Sequence, residues 1–89
     1  MNRVRRLVLD VLKPHKPNCL DFGKQLAGPG MLRVTVTVIE KDDQTETAQV
    51  VVEGPDIDFE VLEKRIGEFG AALHSIDEVE VMREPDETD

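Results

Sequence analysis

The sequence predicts an α+β domain whose elements run strand, helix, strand, strand, helix, strand. Three observations carry that reading. Residues 32–40 and 45–53 alternate apolar and polar side chains on either side of a Lys41-Asp42-Asp43-Gln44 turn. Cys19, Phe22 and Leu26, and then Phe59, Leu62, Ile66 and Phe69, repeat at helical spacing. Gly28-Pro29-Gly30 and Gly54-Pro55 separate these segments with residues that end regular structure.

The first strand is expected over residues 4–12, rich in Val and Leu and ended by Lys13-Pro14. Leu7, Leu9 and Val11 share one face, and Arg6, Val8, Asp10 and Leu12 the other. Asn18 is placed to cap the first helix, with Asp21 near the positive end of its dipole. In the hairpin, Leu32, Val34, Val36 and Val38 are expected on the core face opposite Ala48, Val50 and Val52. Asp58 caps the second helix, and Gly70 suits its C-terminal end. Residues 73–82 form the last strand. The domain thus covers 1–83, and residues 84–89 read as a frayed acidic tail.

Two split βαβ units joined by a hairpin give the ferredoxin-like sandwich. Right-handed crossovers set the antiparallel sheet order 4-1-3-2, with both helices on one face and the other face bare. On that bare face Arg6 falls near Glu53 and Glu80, an expected surface ion-pair cluster. Val8, Ile39, Val51 and Ile76 make the face partly apolar. A chain of 89 residues buries only about 60–65% of its unfolded surface, so self-association through this face or a strand edge is expected.

Composition excludes several functions. The formal net charge is −8, which repels nucleic acid and anionic lipid, so neither is an expected partner. The RNA-recognition module shares this element order, but it stacks bases on strand aromatics; the central strands here offer Val8, Asp10, Gln49 and Val51. A single cysteine, Cys19, permits no internal disulfide or Cys-x-x-Cys motif, and its helical stripe makes it a core residue. Together with the lack of a membrane span or secretory signal, this points to the cytoplasm. His74-Ser75-Ile76-Asp77 contains the residue types of a hydrolytic triad, but sequence neighbours do not face one another as a triad does. No catalytic residues are assigned, and a non-enzymatic role is expected.

One end of the sheet collects polar residues: Asp10, the Lys13–Pro17 loop, the hairpin turn and His74. If Val79 and Val81 face the core, strict alternation puts Ser75 and Asp77 there too, and an unpaired buried Asp is costly. The segment 74–77 is therefore expected to be irregular, as a β-bulge makes it. Three readings of this end remain open. Asp10 and Asp77 bond to nearby backbone, with ordinary surface histidines. Asp10, Asp77 and His74 bind a divalent cation, carboxylates favouring Ca²⁺ or Mg²⁺. Lys13, His15 and Lys16 bind a small anionic ligand at the start of the first helix.

Three runs carry a resemblance: Arg5-Arg6-Leu7-Val8-Leu9-Asp10-Val11-Leu12-Lys13-Pro14-His15 with Pro17 after it, Glu53-Gly54-Pro55-Asp56-Ile57-Asp58-Phe59-Glu60, and Leu73-His74-Ser75-Ile76-Asp77-Glu78-Val79. Over about residues 3–83 the chain resembles the uncharacterised archaeal family known as domain of unknown function 211. The resemblance implies a ferredoxin-like fold, a cytoplasmic archaeal protein, ring-like homo-oligomers and cation binding, calcium being the suspected ion. It implies no enzymatic activity. The expected function is thus a non-enzymatic oligomeric domain that binds a cation or small ligand as a regulator. The alternative is a small enzyme or enzyme subunit with its site between subunits.

Overall fold

The computed structural model describes residues 1–85, so most of the acidic tail, residues 86–89, lies outside it. The order is β1 (Asn2–Pro14), α1 (Cys19–Leu26), β2 (Arg33–Lys41), β3 (Thr45–Glu53), α2 (Phe59–Glu68) and β4 (Ala72–Arg83). The sheet runs β2-β3-β1-β4, the expected order read from the opposite edge, and every pairing is antiparallel.

Local chemistry sets the element ends. Asn18 accepts a hydrogen bond from the Asp21 amide and so caps α1. Asp58 does the same for the Glu60 and Val61 amides at the start of α2. Gly70, at φ 76°, closes α2 in a left-handed turn in which the Ala71 amide reaches back to the Ile66 carbonyl. Gly54 serves another purpose: a Cβ there would lie 2.1 Å from the Gly30 carbonyl oxygen, so glycine lets the two inter-element loops touch.

The core lies between the sheet and the helices. Leu7, Leu9 and Val11 of β1 and Val50 and Val52 of β3 pack with Phe22 and Leu26 of α1 and Leu62 and Ile66 of α2. Phe22 and Phe69 meet edge to face, their ring centres 6.3 Å apart, and link the helices.

The predicted core face of β2 is correct only at its centre. Val34 and Val36 pack on the core, whereas Leu32 is 81% and Val38 37% exposed. The cause is length. The eight residues of α1 extend about 12 Å, while the nine of β2 extend about 30 Å, so the strand ends outrun their cover.

The expected irregularity in β4 is present, and it is double. Val8 pairs with Glu78 but Leu9 with Ile76, which makes Asp77 an extra residue; Asp10 pairs with Ser75 but Val11 with Leu73, which makes His74 a second. Glu84, assigned to the frayed tail, is held: its amide donates to the Met1 carbonyl, and its carboxylate lies 2.6 Å from Arg3 Nε.

Candidate functional site

The two bulges bring β4 polar groups against β1. His74 Nδ1 lies 3.4 Å from Asp10 Oδ2, and the Ser75 hydroxyl donates to Asp77 Oδ1 at 2.7 Å. Asp10 and His74 line an open cleft of about 380 Å³ with Leu12, Thr47, Ala72 and Leu73. Its walls are mostly apolar, with the carboxylate–imidazole pair as the polar anchor. Sequence reasoning placed Asp10 beside His74. It missed Thr47 and Leu12, which the ladder sets directly opposite each other.

Of the three residues assigned to a cation, Asp10 and His74 are within reach of each other, and Asp77 is engaged by Ser75 on the same ladder. Among the described residues no group of three or more His, Cys, Asp or Glu is arranged to hold a metal ion. What the chain itself brings together here is one carboxylate–imidazole pair, Asp10 with His74, in a cleft that Thr47 also lines.

The residues assigned to an anion are arranged differently. Lys13 extends the core-facing series Leu7, Leu9, Val11, and Glu46 extends Ala48, Val50, Val52 in the same way. They pair across the ladder, and both are buried. Lys13 Nζ donates to Glu46 Oε1 at 2.9 Å and to the Pro14 carbonyl, and sits 5.8 Å from the centre of the Phe22 ring. His15 Nδ1 lies 2.9 Å from Glu46 Oε2, and Lys41 Nζ 3.5 Å from the same oxygen. Lys16 is exposed. Lys13 and His15 thus converge on a carboxylate of this chain. The signal for Glu46 was in the sequence: it and Lys13 each continue an alternation that buries their neighbours.

These contacts fix the protonation of the group. Hydrogen bonds from His15 and Lys13 hold the Glu46 carboxyl down at about 2, against the desolvation that opposes ionisation. The bond to Glu46, and then a backbone bond with Asp43, push His15 above its ordinary value.

At the other end of the bare face, Arg6 stands opposite both Glu53 and Glu80, as expected. It bonds Glu53 and reaches Glu78 at 3.4 Å. Such exposed pairs contribute only about 0–1 kcal/mol, so this end is a solvated charge cluster.

Fold and site together define the class: an acidic α+β domain of ferredoxin-like topology with one sheet face free of helices. The family model for domain of unknown function 211, described as uncharacterized ArCR, matches residues 5–84, and the chain belongs to that family. It is 42% identical over 80 residues to the uncharacterized protein MJ0319 of Methanocaldococcus jannaschii, a match spanning 89% of this chain and 82% of that protein.

Proposed function

We propose that this domain is a self-associating, non-enzymatic regulator that binds a divalent cation, calcium, in the Asp10–His74 cleft, with further donors from a neighbouring subunit. One observation carries the reading. The cleft holds a carboxylate beside an imidazole where β4 departs from regular pairing. Carboxylate oxygens suit Ca²⁺, which takes six to eight oxygen ligands, and Asp10 would supply the first of them. His74 then orients the Asp10 carboxylate.

Self-association has its own support. β4 is an edge strand, and Ile76, Val79, Val81 and Met82 on it are each about half exposed. The cation reading is favoured over a small anionic ligand because Glu46 already occupies Lys13 and His15. No helix among the described residues is long and apolar enough to cross a membrane. A cytoplasmic location is part of the proposal and rests on the cysteine usage.

Calorimetric titration with CaCl₂ tests it. The wild-type chain is expected to give saturable binding that Asp10→Ala abolishes and His74→Gln weakens. Equal binding by wild type and Asp10→Ala would remove the cleft from the account.

A further inference from the structure

The Lys13–Glu46–His15 group serves none of the roles proposed above, and its arrangement is unusual for so small a domain. The side chain of Lys13 is 0% exposed and that of Glu46 6%, while His15, at 36%, remains open to solvent. The buried Lys13–Glu46 pair is a fixed part of the core. His15 is the member that can exchange a proton with water.

We propose that His15 is a proton-operated latch that fastens the β1–α1 loop to the turn end of the β2–β3 hairpin. His15 lies just beyond β1, three residues before the cap of α1, and its partner Glu46 lies in β3. The contact therefore ties the entry of α1 to a strand far away in sequence. With the ring charged, the bond to Glu46 is charge-assisted on both sides; with the ring neutral, it keeps at most an ordinary N–H donor.

The neighbours are balanced to make that proton count. Lys13 from β1 and Lys41 from β2 face Glu46 from β3, and Asp42 and Asp43 flank them in the turn. Of these, Glu46 bonds the ring through its carboxylate and Asp43 through its backbone, and both favour the proton. Lys41 opposes the protonation, but the hydrogen bonds with Glu46 and Asp43 outweigh it. The sign follows. The latch contributes fully below the ordinary histidine value of 6.5 and is lost as pH rises through the higher value of the folded state. On the reverse face of the sheet, the adjacent rung Leu12–Thr47 lines the cleft, so loosening at His15 occurs one rung away from it.

NMR titration of the two histidine rings, with amide hydrogen exchange at Asp21 and Phe22, whose amides bond Asn18 at the entry of α1, tests the latch. The His15 ring is expected to titrate above 6.5. Protection of those amides, corrected for intrinsic rates, is expected to fall across the same pH range. His15→Gln should show no such pH-linked loss, while His74→Gln retains it. A His15 midpoint at or below 6.5, or the same loss of protection in His15→Gln, overturns the proposal. The wild-type midpoint decides alone if His15→Gln does not fold.

Discussion

Glu46 is an ionised carboxylate with almost no contact with water, and it persists because Lys13, Lys41 and His15 converge on it. Removing a charge from water is costly, so such a group stays only where hydrogen bonds replace its hydration. The consequence is a defined acid response. Glu46 contributes stability above its unfolded value of 4.5, and that contribution is lost as pH falls toward about 2. Urea denaturation at about pH 5 and about pH 3 should show a marked fall for the wild type and a smaller one for Glu46→Gln. Elsewhere in the core, Leu9 is fully buried on the central strand, so Leu9→Ala should cost about 3 kcal/mol in the same assay. The two sites differ in what the sequence reveals. Leu9 is legible from alternation alone. Glu46 is legible only when its alternation is trusted over its charge, because polarity suggests an exposed turn residue.

Elements were readable where one physical rule dominates. β3 alternates without interruption, and its predicted bounds match the structure. α2 has a cap, an apolar stripe and a terminal glycine that all agree, and it forms as expected. Gly70→Ala should therefore cost about 1–2 kcal/mol, the penalty of a side chain in the left-handed region, measurable by thermal unfolding. β2 was less legible, because its alternation continues past the reach of the short α1 and cannot reveal where cover stops. β4 was legible in the opposite way. Its pattern fails at Ser75 and Asp77, and that failure marks the bulges, though not that there are two of them. The cleft follows from this irregularity. Two extra residues change which β4 side chains meet β1, and Asp10 gains His74 as a neighbour.

The whole molecule is longer than its chain length requires. Its extents are 56 × 22 × 17 Å and its radius of gyration 14.2 Å, against about 12 Å for a compact chain of this size. The strands project beyond the two helices, and the projecting parts carry Val38, Ile39, Val81 and Met82 in exposed positions. Apolar side chains held on uncovered strand edges favour burial against another copy. This shape could not be read from the sequence, because periodicity reports which side of a strand is apolar but not how far the opposite layer extends. In the proposal, a second subunit adds donors beside Asp10 and His74 and buries the uncovered strands. Native mass spectrometry of the wild-type chain, with and without Ca²⁺, examines both together. The expected result is a homo-oligomer whose mass rises by bound calcium and which sheds that ion in Asp10→Ala. A monomer whose mass is unchanged by Ca²⁺ would contradict it.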